Sequence, residues 1–163
     1  MSATPATAAL QAAGVPFEVH QYRHDRRSTD YGAEAIAQMG TALGVAPEQI
    51  FKTLVLDLGE RRLGVAVIPV PARLSLKAAA KALGVRRAEL AQPAAVTRAT
   101  GYVLGGVSPV GQRTALPTVL DDSSRQYELI WCSAGRRGME IGLAPDDLVA
   151  VTGAAIAAIT ADG

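Results

Sequence analysis

The sequence predicts one α+β domain over residues 1–163, with a mixed, largely antiparallel sheet flanked by helices. Three observations lead to this prediction. A chain of 163 residues is long enough for one domain with a real core and too short for two comfortable ones. Strand patterns outnumber long helical patterns and do not alternate strictly with them, which disfavours a parallel α/β fold. A hairpin signal joins two apolar strands in the middle of the chain.

The helices are predicted from residues that typically begin or end a helix. Thr4 and Pro5 are a typical cap and first helical residue, and Gly14 is a typical stop. Pro93 is expected to break a helical stretch into short pieces. The predicted helices cover about Pro5–Ala13, Tyr31–Leu43, the segment from the cap Ser75 to Leu83, one or two pieces within residues 86–98, and Pro145–Val151.

The strands are predicted from apolar alternation and from short apolar runs. Ile50–Leu58 and Leu63–Val70 are separated by turn residues 59–62, which predicts a hairpin. Polar residues 23–30 are expected to form a loop. The other predicted strands are Phe17–Tyr22, Thr118–Leu120, Glu128–Cys132 and Met139–Leu143, and a last apolar segment covers residues 155–160.

Composition excludes several classes of protein. Apolar residues make up 49% of the chain, which argues against disorder. The single cysteine allows no disulfide framework, and the first residues do not resemble a signal peptide. No apolar run reaches membrane-spanning length. We therefore expect a cytoplasmic protein without membrane contact. A net charge of +1 argues against a broad surface that binds duplex nucleic acid. Each of three basic clusters could still either contact RNA locally or simply be exposed to solvent: Arg23/Arg26/Arg27, Lys77/Lys81/Arg86/Arg87 and Arg136/Arg137.

The most informative segment is Gly101–Gly111, which reads G-Y-V-L-G-G-V-S-P-V-G. Gly105 and Gly106 can adopt backbone angles that other residues avoid, so such a loop can leave amide N–H groups free to bind a ligand oxygen. A tight structural turn is the alternative for an isolated Gly-Gly pair. A second small-residue loop at Ser133–Gly138, S-A-G-R-R-G, strengthens the ligand hypothesis.

Lys52 is the most unusual residue of the predicted strands. It shares a strand face with Ile50 and Leu54, and both faces of this strand are largely apolar. Burying an ammonium there is costly unless the group finds a partner. Lys52 either opens into a pocket, where it holds a ligand oxygen or carboxylate, or reaches water at the end of its strand.

Other candidate groups argue against a metal site and against a protein nucleophile. His20, Tyr22 and His24 share a strand face, but no cysteine or third histidine completes a zinc set, so we expect no metal and no cofactor. Tyr22 is a more plausible ligand-contacting hydroxyl. Cys132 lies in an apolar strand and is expected to be a buried small residue. With no nucleophile motif, the pattern favours positioning by backbone amides and one lysine.

The order and spacing of seven segments resemble the YbaK/EbsC family of free-standing aminoacyl-tRNA editing proteins. The resemblance covers nearly the whole chain, and the same fold is inserted as the editing domain of many bacterial prolyl-tRNA synthetases. The segments are T-P-A near the start, H-Q-Y-R-H-D at His20–Asp25, I-F-K-T-L at Ile50–Leu54, L-S-L-K-A-A-A-K-A-L-G at Leu74–Gly84, the loop Gly101–Gly111, L-P-T-V-L-D at Leu116–Asp121 and S-A-G-R-R-G-M-E-I at Ser133–Ile141.

The resemblance implies a deacylase that removes a mischarged small amino acid from the acceptor end of a tRNA, most closely cysteine from tRNA(Pro) and also from tRNA(Cys). It implies no cofactor and suggests prolyl-tRNA synthetase as a protein partner. The catalytic residues it implies are Lys52 and Gly106. The substrate-binding residues it implies are Tyr22, Thr53, Gly105, Ser108, Ser133, Gly135 and Glu140.

Two departures from the family pattern bear on the substrate. Ala134 stands where a glycine is usual, and Glu140 stands where relatives usually have aspartate. The segment at residues 39–44, M-G-T-A-L-G, also looks longer than the corresponding segment of those relatives. In the cysteine-specific branch of the family, the thiol of the substrate attacks its own ester. The alternatives are a relative that clears another small residue, such as alanine from tRNA(Pro), with water, and a non-catalytic module that binds tRNA or a synthetase.

Overall fold

A computed structural model describes residues 3–161 and confirms the predicted α+β class. The α-helices are α1 (Pro5–Ala12), α2 (Tyr31–Leu43), α3 (Leu76–Ala82), α4 (Pro93–Thr100) and α5 (Pro145–Thr152), with 3-10 turns at Pro47–Gln49 and Asp122–Gln126. The strands are β1 (Glu18–Gln21), β2 (Phe51–Gly59), β3 (Arg62–Pro69), β4 (Arg73–Leu74), β5 (Glu89–Leu90), β6 (Thr118–Asp121), β7 (Ile130–Arg136), β8 (Met139–Leu143), β9 (Ala155–Ala157) and β10 (Thr160–Ala161).

The strands form separate sheets rather than the one sheet that the sequence predicts. A five-stranded sheet has the order β5-β2-β3-β6-β9, in which β3, β6 and β9 are parallel and the other pairs antiparallel. A three-stranded antiparallel sheet has the order β1-β8-β7, and β10 pairs with β4. Apolar alternation defines the faces of a strand but not its partners, so the division could not be read from the pattern.

Apolar side chains cover both faces of the five-stranded sheet. Phe51 and Leu120 pack on one face with α1 and the antiparallel sheet. Leu56 and Ile68 pack on the other face with α3. A third cluster, beneath α2, contains Ala35, Met39, Ile50 and Trp131. These clusters hold the two larger sheets in a fixed relation.

A backbone bridge between the two larger sheets positions the site. Ile50 and Trp131 form an isolated parallel bridge, so β2 and β7 leave this point side by side. Beyond the bridge, the described residues of β2 and β7 no longer pair with each other. Thr53 of β2 and Ser133 of β7 therefore face the space between the sheets, where they line one cavity.

Local signals explain which element predictions are confirmed. The observed bounds of α2 match the predicted ones, because the Asp30 side chain accepts the N–H of Ala33 at the start and Gly44 adopts φ +67° at the end. Pro93, expected to break a helix, instead begins α4, where its missing N–H costs no hydrogen bond. β7 continues to Arg136, beyond the predicted end at Cys132, through an irregularity after Ser133. Within residues 3–161, no helix is long and apolar enough to span a bilayer.

Candidate functional site

The principal candidate site is a cavity of about 850 Å³ between the diverging sheets. Its walls come from the start of α2, Ile50 with the first half of β2, the loop that follows α4, and the β7–β8 pair. β5 pairs with β2 only at Leu56 and Asp57, so the described part of β2 before them has an open edge on that side. This open edge gives a ligand access to Lys52.

Lys52 lies in the cavity wall and is half-buried. No carboxylate of residues 3–161 lies within 4.0 Å of its ammonium group. Its position at the open edge accounts for a lysine on an otherwise apolar strand face, because the head group reaches the cavity while the stem packs along the strand. The ammonium is available to a ligand oxygen.

Two buried oxygens in the cavity wall have no hydrogen-bond partner among the described residues. They are Thr53 Oγ1 and Glu140 Oε2. Glu140 is only 7% exposed, and this burial raises the pKa of its carboxyl from 4.5 to about 8. The carboxyl is therefore largely protonated at neutral pH and can donate a hydrogen bond.

Cross-strand register places other polar side chains beside Glu140. Glu140 pairs with Ser133 on one side and with His20 on the other, so the three side chains share a face of the antiparallel sheet. Tyr22 lies outside the cavity lining, but its hydroxyl is near two carboxyls. Burial raises the Tyr22 pKa well above its usual range, and Glu140 and Glu34 raise it further, so the phenol stays neutral.

Ser133 and Gly135 have different roles although both were expected to bind substrate. Ser133 lines the cavity, and its Oγ accepts the Gly135 N–H at 3.1 Å, which leaves the hydroxyl proton free to donate. Gly135 lies outside the lining, with φ +102°. A Cβ there would lie 2.6 Å from the Tyr102 ring, so Gly135 permits the irregular turn of β7.

The glycine loop behaves differently from the sequence-based expectation. Gly105 lines the cavity, and a Cβ there would meet the Tyr31 ring at 2.7 Å. The expectation of a free N–H at Gly106 is wrong, because this group donates to the Val103 carbonyl at 2.9 Å. A Cβ at Gly106 would lie 3.0 Å from the backbone of Arg136. Gly106 therefore packs two loops together outside the cavity lining.

Ser108 also lies elsewhere than expected. It is fully buried, and its Oγ accepts the N–H of Val110 at 3.2 Å within the loop. It stabilises the turn and does not line the cavity. The family resemblance implies Ser108 as a substrate-binding residue, but sequence alone could not show that its side chain is buried within the fold.

Sequence reasoning singled out Arg137 only as part of a basic cluster and missed its contact with Tyr31 at the mouth of the cavity. The Arg137 guanidinium lies 4.8 Å from the centre of the Tyr31 ring, and its Nε donates to the Leu104 carbonyl at 2.8 Å. Tyr31 and Leu104 both line the cavity. Arg137 thus joins the β7–β8 turn to α2 and the glycine loop. Nothing in the sequence pattern signalled this long-range meeting.

The cavity offers binding groups without an activated side-chain nucleophile. Cys132 is fully buried in the apolar core, and this burial raises the pKa of its thiol far above the usual range. Among residues 3–161, no serine hydroxyl hydrogen-bonds a histidine; His24 Nδ1 instead lies 2.6 Å from Glu34 Oε1. The described residues hold no group of three or more His, Cys, Asp or Glu side chains suited to a metal ion.

Comparison with known proteins relates this chain to tRNA editing proteins. The model of the aminoacyl-tRNA editing domain family matches residues 31–151. A protein of Enterococcus faecalis described as a candidate Cys-tRNA(Pro)/Cys-tRNA(Cys) deacylase, EbsC, is 38% identical over 147 residues. That alignment covers 90% of this chain and 86% of the relative.

Solved structures show the same fold. A crystal structure described as a candidate trans-editing enzyme for prolyl tRNA synthetase superposes with a TM-score of 0.83 and 30% identity, covering 97% of this chain and 96% of that one. The crystal structure of hypothetical protein APE2540 gives a TM-score of 0.82 and 26% identity, covering 97% of this chain and 100% of that one. Both likenesses extend over the elements that form the cavity.

Proposed function

Because this chain belongs to the aminoacyl-tRNA editing domain family, we propose that it is a deacylase acting in trans, which cleaves the ester between a mischarged small amino acid and the terminal ribose of a tRNA. The substrate we propose first is cysteine on tRNA(Pro), followed by cysteine on tRNA(Cys), as in the name of the Enterococcus faecalis relative. One observation carries the proposal. The Lys52 ammonium lacks a carboxylate partner among residues 3–161 and shares a cavity with two unpartnered buried oxygens.

Lys52 supplies the positive charge at the reacting ester. An ammonium held in a partly desolvated wall stabilises the negative charge that develops on the carbonyl oxygen during attack. The Ser133 hydroxyl, whose oxygen already accepts the Gly135 N–H, has its proton available for a substrate oxygen. Thr53 and Glu140 offer hydrogen bonds to the polar end of the amino acid. These groups act by orientation and charge stabilisation.

The nucleophile in this proposal belongs to the substrate. The cysteine sulfur attacks its own carbonyl carbon, the bond from that carbon to the ribose oxygen breaks, and the ribose oxygen takes up the proton that the thiol released. The first product is a small cyclic thioester, which water then opens to cysteine. A buried Cys132 and the lack of a serine–histidine hydrogen bond in the described residues are consistent with this assignment.

Deacylation of tRNA(Pro) charged with cysteine, serine, alanine or proline tests the proposal. Cys-tRNA(Pro) should react much faster than Ser-tRNA(Pro), since a thiol ionises near pH ~8.5 whereas an aliphatic hydroxyl stays protonated. Mass spectrometry at early times should detect the cyclic thioester. Free cysteine appearing at early times without the cyclic thioester, with alanine released as fast as cysteine, would instead favour hydrolysis by water. No cleavage of any charged tRNA by folded protein would contradict the deacylase assignment.

We also propose prolyl-tRNA synthetase as the protein that supplies the mischarged tRNA. The description of the solved trans-editing relative supports this partner. Adding the synthetase to the assay should raise deacylation of Cys-tRNA(Pro) more than that of Cys-tRNA(Cys). Equal rates with and without the synthetase would remove this partner while leaving the deacylase assignment intact.

A further inference from the structure

Two arginine-bearing loops meet beside the mouth of the cavity. The Tyr22 N–H donates to the Gly138 carbonyl at 2.8 Å, so the loop after β1 lies against the β7–β8 turn. A Cβ on Gly138 would lie 2.5 Å from the Tyr22 carbonyl oxygen, which shows how closely the backbones approach. The two sequence clusters thus form one exposed patch, here called the arginine surface: Arg23, Arg26, Arg27, Arg136 and Arg137.

Positive charge on the arginine surface is only partly balanced by the protein. The whole chain is almost neutral, with 16 Lys and Arg against 15 Asp and Glu, so the excess of positive charge on the arginine surface is a local feature. Among residues 3–161, no carboxylate lies within 4.0 Å of Arg23, Arg26 or Arg136. The acidic side chains nearby have partners of their own: Glu34 binds His24 and the Asp25 N–H, Asp25 pairs with Arg27 at 3.6 Å, and Asp30 caps α2.

The arginine surface is continuous with the cavity. Arg137 contacts both Tyr31 and the Leu104 carbonyl, and these two residues line the cavity mouth. On the other side, the loop of residues 23–27 borders a shallow cleft of about 710 Å³. A chain of negative groups attached to a ligand near Lys52 would leave the cavity along this surface.

Apolar side chains complete the mouth. Leu90 and Leu104 line the cavity yet remain 59% and 42% exposed. Leu104 lies against Arg137, whose Nε donates to its carbonyl, and an exposed leucine beside an exposed arginine suits a ligand that has both flat apolar faces and charged groups. Nucleotides in single-stranded RNA combine these two features, since their bases stack and their phosphates bind guanidinium groups.

We propose that the arginine surface binds the phosphodiester backbone of the single-stranded acceptor end of tRNA while the aminoacyl ester occupies the cavity. This inference rests on the proposed deacylase function and names the surface that holds the rest of the substrate. Guanidinium groups bind phosphate oxygens through paired hydrogen bonds, for which arginine is better suited than lysine. Among residues 3–161, no carboxylate competes for Arg23, Arg26 or Arg136, although Arg136 Nη2 donates to Met139 Sδ at 3.6 Å; Arg137 also maintains the mouth.

The test compares two variants that each lose three exposed arginines. The first is Arg23→Gln/Arg26→Gln/Arg136→Gln, and the matched control is Arg62→Gln/Arg86→Gln/Arg87→Gln, whose residues border a separate cleft. Each is assayed with Cys-tRNA(Pro) and with the cysteine ester of adenosine, which has no phosphate. The first variant should raise the KM for the tRNA about tenfold or more, with kcat and ester cleavage within about twofold of wild type. The control should match wild type on both substrates.

Salt dependence gives a second readout of the same contacts. Each phosphate contact on a single strand contributes about 0.7 to the slope of log affinity against log salt, so the first variant should lose about 2 from this slope. An unchanged KM and slope in the first variant, while wild type cleaves the charged tRNA, would overturn the arginine surface and leave the deacylase assignment standing.

Direct binding separates the remaining outcomes. An acceptor-stem RNA hairpin ending in CCA, followed by fluorescence anisotropy, should bind wild type and control more tightly than the first variant, even if no ester is cleaved. If the RNA binds in this order but no protein cleaves an ester, the arginine surface stands and only the proposed deacylase function fails. Equal RNA binding by all proteins, together with a loss of activity that occurs only when the synthetase is present, would assign the surface to a protein and would refute RNA binding.

Discussion

Buried polar groups around α1 are hydrogen-bonded within the protein, whereas those in the cavity wall are not. Thr4 Oγ1 donates to the Ala134 carbonyl at 2.6 Å and accepts the Thr7 N–H, and the Tyr102 hydroxyl donates to the Val110 carbonyl at 2.6 Å. In the cavity wall, Thr53 Oγ1 and Glu140 Oε2 have no partner among the described residues. These buried polar groups around α1 pair within the protein, whereas the cavity wall leaves two buried oxygens without a partner among the described residues.

The difference shows where this fold gives up stability. A buried polar group without a hydrogen bond costs roughly 1–3 kcal/mol, and the cavity wall carries this cost at two side chains. A substrate that pairs with both would recover it, which is typical of functional sites. Ser124 Oγ is a third unpartnered buried atom, outside the cavity, and nothing in the structure explains it.

The largest expected effect comes from removing the free cation of the cavity. Lys52→Ala should lower kcat/KM for Cys-tRNA(Pro) by about 100-fold to 1000-fold, because it removes a charge placed to stabilise the oxyanion. Its free energy of unfolding should stay close to that of wild type, since no carboxylate within residues 3–161 pairs with Lys52. Steady-state kinetics and thermal unfolding measure the two quantities.

Lys52→Arg is the matched variant that keeps the charge. It should also be a poor enzyme, because a planar guanidinium cannot place its charge as a compact ammonium does. Near-normal turnover by folded Lys52→Ala protein would remove the lysine from the mechanism, and with it the main functional contrast between the cavity and the α1 region.

Glu140 predicts a pH dependence of stability that the α1 region lacks. Its pKa rises from 4.5 when unfolded to about 8 in the folded protein, because the carboxyl is desolvated. Between these values the folded state binds the extra proton, so raising the pH favours unfolding by up to about 1.4 kcal/mol per pH unit. The free energy of unfolding should therefore fall as the pH rises from about 5 to about 8.

Glu140→Gln should remove most of this slope, since the amide does not ionise. Urea unfolding of wild type and variant at several pH values measures it, with Asp57→Asn, on an exposed side chain of β2, as the control. The same slope in wild type and Glu140→Gln would show that the carboxyl ionises normally and that the cavity wall does not desolvate it.

Local signals made part of the fold and site predictable. The cap Asp30 and the stop Gly44 lie next to the helix they bound, so both ends of α2 could be predicted. The strand pattern around Lys52 likewise depends on adjacent residues, and the structure places this lysine in the cavity wall. The family resemblance, rather than any local pattern, brought Thr53 and Glu140 into the candidate set.

Long-range contacts account for what could not be predicted. The bridge between Ile50 and Trp131, which opens the cavity, joins residues far apart in the sequence, and apolar alternation does not name a strand's partner. The meeting of Tyr31 with Arg137 has the same origin. Gly106 was misjudged for another reason. A Gly-Gly pair shows that the backbone is permissive, but not that its N–H has already found an acceptor in Val103.

Gly106 tests the junction between the glycine loop and the β7–β8 turn. In Gly106→Ala, the new Cβ would lie 3.0 Å from the backbone of Arg136 and Arg137, so one loop must shift. We expect a loss of about 1–3 kcal/mol in the free energy of unfolding, and a larger loss for Gly106→Val. Deacylation should fall as well, because Gly105 and Arg137 move with these loops.

Gly40→Ala, within α2, is the matched control, since a Cβ there meets only the carbonyl of Val45, beyond the end of the helix, at an ordinary 3.8 Å. It should be neutral or stabilising by about 0.5–1 kcal/mol. If Gly106→Ala unfolds like wild type and loses activity alone, Gly106 acts on the substrate after all, and its place outside the cavity lining would need revision.

Thr4 gives the smallest expected effect and tests whether the two regions are independent. Thr4→Ala removes the cap of α1 and leaves the Ala134 carbonyl without its hydroxyl partner, which should cost about 1–2 kcal/mol of stability. Thr4→Ser keeps the hydroxyl and should retain most of that stability. Ala134 is buried in the core, whereas its neighbour Ser133 lines the cavity. Because successive residues of a strand point to opposite faces, the bond from Thr4 to Ala134 should not affect Ser133. Below the unfolding transition, kcat/KM of both variants should stay within about twofold of wild type. A drop in Thr4→Ala that Thr4→Ser does not share would show that the bond to Ala134 also positions Ser133, and the region around α1 would then belong to the site.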